Sequence, residues 1–275
     1  MRVFNPMILK NLIDQIETKY PTSLAESWDH VGLMVGDTSM EIHRIYLALE
    51  ANESVIEDAI QKQADLIITH HPFLFKKINQ VTTDDFKGRL IYKLIQNNLA
   101  LYSMHTNFDI AFDGMNDYFM KLLGHTDCNV LELQSNSDYN TNDHTQKQPG
   151  LGRICTLDNE ITLESLCTQI KEMLGMNQIR LIGNPCDSVK TIAVVTGAGA
   201  DYVSLAKSSG AQVLITGDMK YHEAQDVIDS KMSVIDCGHF ESENIFKDAM
   251  AEYLSKATDL EIIKSTVNIN PFCYL

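Results

Sequence analysis

The sequence predicts an α/β fold of two similar lobes related by an internal duplication. Three observations predict it. Apolar, β-branched runs alternate with amphipathic stretches, which indicates strands alternating with helices. A strand–helix–strand window recurs at a fixed offset. A long polar stretch separates the two copies.

The strands are read from runs such as 65–69 and 212–216, each with three apolar residues closed by a threonine. Helices are expected over 9–17, 54–61, 116–123 and 244–254, where apolar residues recur at helical spacing. Placing Ile45 on Ile192 aligns 45–69 with 192–216 without a gap, and six of the twenty-five positions are identical, among them Ala51 with Ala198, Ala59 with Ala206 and Ile68-Thr69 with Ile215-Thr216. Strand–helix–strand units share composition, so the identities alone also fit two generic units. The window order and the matching strand ends favour a duplication. Residues 134–150 hold almost no apolar side chains and cannot offset ordering entropy by burial, so they are read as a linker or loop. The expected organisation is therefore a first lobe over 1–133, the polar segment 134–150, and a second lobe over 151–275.

The chain has 275 residues, 44% hydrophobic and 21% charged, enough for a large buried core. Its formal charge of −15, without any basic cluster, excludes a broad nucleic-acid footprint. No apolar run approaches membrane-spanning length, and residues 1–16 lack the order of a signal peptide. Six cysteines are scattered without a CxxC pair, which fits free thiols in a reducing, cytoplasmic setting.

Candidate chemistry collects at strand ends. His70-His71-Pro72 follows the strand 65–69, and the carboxyl ends of strands are where open α/β sheets bind ligands. Neighbouring side chains on a strand point to opposite faces, so the pair suits two ions a few Å apart better than one. A lone histidine there is more often structural; an adjacent pair brings a ligand role level with that reading. A second run, 100–109, delivers His105 and Asp109, as ligand and partner or as two ligands; otherwise Asn107 and Asp109 cap the next turn. A third, 232–246, leads through Gly238 to His239 and Glu243, four residues apart and so on one side of a helical turn. Glu243 is read as opening a helix that runs to about Leu254. Glu241 lies at another angle, and Cys237 is more simply a buried thiol than a ligand. A fourth stretch, 216–224, carries Gly217-Asp218 where the first lobe has its histidine pair. Here His222 and Glu223 are candidates for proton transfer, against a solvated helix start capped by Asp218. Gly197 to Asp201 is either an anion-receiving turn or an ordinary tight one. Trp28 is expected near the site or an interface.

His70, His71, Asp109, His239 and Glu243 form an imidazole and carboxylate set without thiolate, which favours zinc, iron, manganese or nickel. Five side chains shared by two divalent ions leave open positions, as catalysis requires. A carboxylate such as Glu243 bridges two ions through its two oxygens, and two close ions activate water and polarise an electrophile.

The chain resembles the NGG-one-interacting-factor-three-like family, whose bacterial members are often called GTP cyclohydrolase 1 type 2 homologues. The markers are Ser27-Trp28-Asp29-His30-Val31-Gly32-Leu33, Ile68-Thr69-His70-His71-Pro72, His105 through Asp109, Thr216-Gly217-Asp218 with His222, and Gly238-His239-Phe240-Glu241-Ser242-Glu243. The resemblance implies two lobes around a dinuclear metal centre. His70 and His71 would contact different ions, Asp109 and His239 one each, and Glu243 would bridge. His105 and His222 would sit close by. It also implies a ring-shaped homohexamer and, from the family name alone, hydrolysis of a nucleotide such as GTP. Two departures stand out: His30 and Glu50 replace the residues the family often carries there. Neither is expected to touch the ligands. The leading expectation is a metal-dependent hydrolase acting on a small molecule with metal-activated water, His222, Glu223 or His105 handling protons. The alternative is a non-enzymatic metal-binding, metal-delivery or regulatory protein.

Overall fold

The computed structural model describes residues 5–134 and 148–273. The chain divides into two compact units, one of Met1–Phe108 with Phe246–Leu275 and one of Asp109–Ile245. Residues 135–147 of the expected linker lie outside the described residues.

The first unit begins with β1 (Met7–Ile8), α1 (Leu9–Lys19), β2 (Gly32–Val35), β3 (Glu41–Ile42), β4 (Arg44–Ala48), α2 (Glu53–Gln61), β5 (Leu66–Thr69), α3 (Phe86–Gln96) and β6 (Ala100–Ser103). The division then falls within α4 (Thr106–Ile110). The second unit holds α5 (Met115–Leu122), β7 (Asn129–Leu133), β8 (Gly150–Thr162), α6 (Leu163–Leu174), β9 (Arg180–Ile182), β10 (Ser188–Ala198), α7 (Val203–Ser208), β11 (Val213–Gly217), α8 (Tyr221–Asp229), β12 (Ser233–Asp236) and α9 (His239–Glu243). The chain finishes in the first unit with α10 (Phe246–Ala257) and β13 (Glu261–Lys264). The division differs from the lobe limits read from composition because β13 pairs in parallel with β4, which returns the C-terminal segment to the first sheet.

Helix starts follow from local chemistry. Asn52, Asp85 and Thr162 each accept a backbone N–H of the first turn, from Val55, Gly88 and Ser165 respectively, and so satisfy donors that the helix leaves over. Gly175 ends α6 in the left-handed conformation at φ 66°. One expectation is corrected. Glu243 does not open the long helix but closes the five-residue α9, and α10 starts afresh at Phe246.

Each unit carries one mixed sheet. The order is β13-β4-β5-β6-β2 in the first and β7-β8-β10-β11-β12-β9 in the second. In both, three central strands run parallel and an antiparallel strand flanks the third, β2 beside β6 and β9 beside β12. The repeat extends to register: Ile45 pairs with Leu66 and Ile192 with Val213, so strands matched by the sequence offset are also paired at the same step. The first core packs Tyr46, Val55, Ile56, Ile67, Leu94 and Leu101, and the second packs Ala193, Val195, Ala206, Leu214, Val227 and Val234. Among the described residues no helix is long and apolar enough to cross a membrane.

The second unit holds a buried arginine against a largely buried aspartate. Arg153, 1% exposed, sends Nε to Asp117 Oδ1 at 2.7 Å and Nη2 to Asp117 Oδ2 at 2.6 Å. Nη1 donates to the carbonyls of Gly150 and Gly152, and Nη2 also to that of Ala111. All the guanidinium donors are thus met, which is the condition under which a buried charge is tolerated. Asp117→Ala removes the counter-charge and leaves the cation buried. Urea unfolding is expected to show a loss of about 3–5 kcal/mol.

Candidate metal centre

In the first unit, the chain leaves strand geometry at the end of β5. The amides of His70 and His71 both donate to the Leu49 carbonyl, at 3.1 and 2.8 Å, so the two side chains no longer alternate across the sheet. Their rings lie 5.4 Å apart and tilted by 40°. Thr69 Oγ1 donates to the His71 carbonyl at 2.9 Å and fixes the turn. His105, just past β6, brings a third ring to within 5.2 Å of His70 and 6.0 Å of His71.

Each of these imidazoles is anchored at Nδ1. His70 Nδ1 donates to the Met104 carbonyl at 2.9 Å; because a carbonyl only accepts, this sets the tautomer and leaves the Nε2 lone pair for a cation. His71 Nδ1 faces Glu50 Oε2 at 3.5 Å. Glu50 therefore does touch a proposed ligand, contrary to expectation, because β4 ends beside β5. His105 Nδ1 meets Asp29 Oδ2 at 3.0 Å. Burial alone would raise the Asp29 carboxyl. Hydrogen bonds from the His105 ring and from the Thr106 hydroxyl and amide outweigh it and bring the carboxyl down to about 2. Trp28 packs edge-on against His105 and Phe75, and His30 lies exposed beside it with Nδ1 3.3 Å from the Trp28 carbonyl.

In the second unit, α9 sets His239 Nε2 2.9 Å from Glu243 Oε2, as their four-residue spacing requires. His239 Nδ1 meets Asp218 Oδ2 at 2.8 Å. Glu243 is buried, and Gly197 is the reason it fits: a Cβ there would stand 2.1 Å from Glu243 Oε1. The Gly197 amide donates to Ser242 Oγ at 3.0 Å, so this turn seats α9 and its N–H is not offered to an anion. Asp109 is joined to the same turn through Asn116, whose Nδ2 donates to the Asp109 carbonyl at 3.2 Å and whose Oδ1 accepts the Thr196 amide at 3.0 Å.

His222 stands exposed on α8, its ring 5.3 Å from that of Tyr221. Glu223 accepts the Lys220 amide at 2.8 Å and pairs with Lys220 Nζ at 3.1 Å, closing the start of α8. That capping role belongs to Glu223, not Asp218, which turns to His239. Cys237 is fully buried, donates to the Thr216 carbonyl, and has its thiol pushed up chiefly by burial. Glu241 lies over Gly238, where a Cβ would stand 2.2 Å from its Oε2.

Sequence reasoning read Asp218 as a helix cap, Gly197 as a turn and Glu50 as a departure away from the ligands, and so missed what each does for these side chains. Asp218 carried one usable signal, its place at the end of a strand that repeats the one before His70. His70 and His71 in the first unit, and His239 with Glu243 in the second, are imidazole and carboxylate donors of the kind that a divalent cation takes. The space beside Gly197 fits the carboxylate that such a set requires.

These features define an α/β protein of repeated parallel-centred sheets with a candidate metal centre at its strand ends. The family model Duf34/NIF3 (NGG1p interacting factor 3) matches residues 7–271, and the chain belongs to that family. A GTP cyclohydrolase 1 type 2 homolog from Clostridium acetobutylicum is 36% identical over 96% of this chain and 97% of its own. Another from Campylobacter jejuni is 32% identical over 96% and 97%. A Staphylococcus aureus crystal structure superposes with TM-score 0.89, 29% identity, and 98% and 100% of the two chains covered. Reduced HcgD from Methanocaldococcus jannaschii gives 0.81 at 28% identity, covering 96% and 100%.

Two outcomes follow. Asp29 is held below its ordinary value of 3.8, so the stability it contributes is complete above that pH and is lost as pH falls towards about 2. Acid titrations of unfolding are expected to fall less steeply between pH 4 and 2 for Asp29→Asn than for wild type. Gly197→Ala places a Cβ against Glu243 at φ 69°. It is expected to lower metal uptake sharply and to cost about 1–2 kcal/mol in chemical denaturation.

Proposed function

We propose that this chain is a dinuclear metal protein that works as a metal-dependent hydrolase of the GTP cyclohydrolase type for which its relatives are named. The observation that carries the reading is the anchoring of four imidazoles at Nδ1, by Met104, Glu50, Asp29 and Asp218. Rings held this way are typical of metal ligands, whose second nitrogen is fixed by a carbonyl or carboxylate. His70, His71, Asp109, His239 and Glu243 would be the ligands, as the family resemblance implies, with His70 and His71 serving different ions and Glu243 bridging. Two divalent ions, of zinc, iron, manganese or nickel, would supply Lewis acidity and lower the pKa of water.

The side chains have separate tasks in this reading. His105, steadied by Asp29, exchanges a proton at Nε2, with His222 and Glu223 as further candidates. Trp28, beside His105, offers an apolar edge to a planar heterocycle such as a nucleotide base. The substrate is a small molecule, a nucleotide by analogy with the relatives' name, and the assembly a cytoplasmic homohexamer. A second reading, metal delivery without turnover, draws on the partial exposure of His239, 34% at its side chain, which favours exchange of a bound ion.

Elemental analysis of protein purified without chelators is expected to find about two ions per chain, in line with a shared five-ligand set, and far fewer in Glu243→Ala. Steady GTP hydrolysis by the loaded wild type, absent in that variant, supports the hydrolase. Full loading with no turnover across a nucleotide and phosphoester panel supports delivery instead. No metal after reconstitution overturns both.

A further inference from the structure

The loop after β11 holds Asp218 in the left-handed region of backbone conformation. Asp218 has φ 56°, a left-handed conformation that costs a side-chain-bearing residue energy and is tolerated mainly by glycine, asparagine and aspartate. Its neighbours fix it there. Gly217 has no room for a Cβ, which would stand 2.7 Å from Gly238 C and His239 N. The Met219 amide donates to Asp236 Oδ2 and the Gly238 amide to Asp236 Oδ1, each at 3.0 Å. Arg180 closes the group by pairing with Asp236 and donating to the Met219 carbonyl. The buried Asp236 carboxylate thus ties the loop that carries Asp218 to the loop before His239.

The side chain that this framework presents makes one hydrogen bond, from His239 Nδ1 at 2.8 Å. The opposite nitrogen, Nε2, lies 2.9 Å from Glu243 Oε2. Asp218 is itself half exposed, on the wall of a cavity of about 460 Å³ shared with Arg180, Asp201 and Lys220, so removing its carboxylate opens no void in the core.

We propose that Asp218 is a positioning residue for the candidate metal centre: its carboxylate holds His239 as the Nδ1–H tautomer, keeps Nε2 on the side of Glu243, where it would meet a bound ion, and makes that nitrogen a better donor. This rests on the metal reading above. It goes beyond it by assigning the Gly217-Asp218 turn, which takes the place of the first unit's histidine pair, a role in metal affinity. A partner of this kind typically sets metal affinity by about 10–100-fold.

The test compares Asp218→Gly with Asp218→Asn by titrating metal-free protein with Co²⁺ and following its visible absorption. Glycine accepts φ 56° without strain, so the backbone and the metal-free stability survive while the acceptor is lost. Asparagine keeps a neutral acceptor. Co²⁺ affinity is expected to fall about 10–100-fold in the glycine variant, with an altered band envelope, and by less in the asparagine variant. Wild-type affinity and spectrum in Asp218→Gly overturn the proposal. Should wild type bind no Co²⁺, the metal reading fails, and NMR of the His239 Nδ1 proton decides the positioning. A resonance present in wild type and lost in Asp218→Gly supports it, and one unchanged in the variant overturns it.

Discussion

A neutral imidazole has one donor nitrogen and one acceptor, and it offers the acceptor in a fixed direction only if the donor is already engaged. Much of this chain's local architecture meets that condition. Met104 and Asp29 are brought to His70 and His105 by the turns that follow β6 and precede β2. Glu50 reaches His71 from the end of β4, and Asp218 reaches His239 from the end of β11. The parallel strands supply these partners because neighbouring strands in such a sheet end together on one edge. A ring and its anchor then come from adjacent strand ends rather than from a single segment.

The second unit adds a further requirement, the seating of a buried carboxylate. Glu243 is 4% exposed, and an ionised group so placed needs compensation from close partners. His239 Nε2 lies 2.9 Å away, and with its lone pair turned to the carboxylate the two call for a cation beside them. The space comes from Gly197, and the orientation from the Ser242 hydroxyl, which accepts the Gly197 amide. Three short loops, after β10, β11 and β12, therefore have to be built together. Asp236 does this for two of them through two backbone amides.

The fold was legible because its signals are periodic. Runs such as 66–69 and 213–217 are too apolar for anything but buried strands, and the offset between Ile45 and Ile192 carried over into the strand register. The candidate ligands were proposed from residue type at strand ends. The groups that anchor them were not foreseen. Glu50 and Asp218 are ordinary acidic residues at positions where an acidic cap is common, and only the pairing of strands shows which ring each one meets. The start of the long C-terminal helix was misplaced because α9 and α10 share one amphipathic pattern, and the break at Asn244 and Ile245 carries no glycine or proline to mark it. The unit limits escaped composition because a strand pairing, β13 with β4, is a long-range event.

The chain contains a single tryptophan, and it sits with its ring centroid 6.0 Å from that of His105. Half exposed and edge-on to an imidazole, Trp28 makes the first unit's histidine cluster optically self-reporting. Its ultraviolet emission comes from one location only, so any change in colour or yield on adding a paramagnetic cation or a planar solute is read at that cluster without a label. The same indole that completes an aromatic edge with Phe75 thus gives this cluster a signal that a bench fluorimeter can follow.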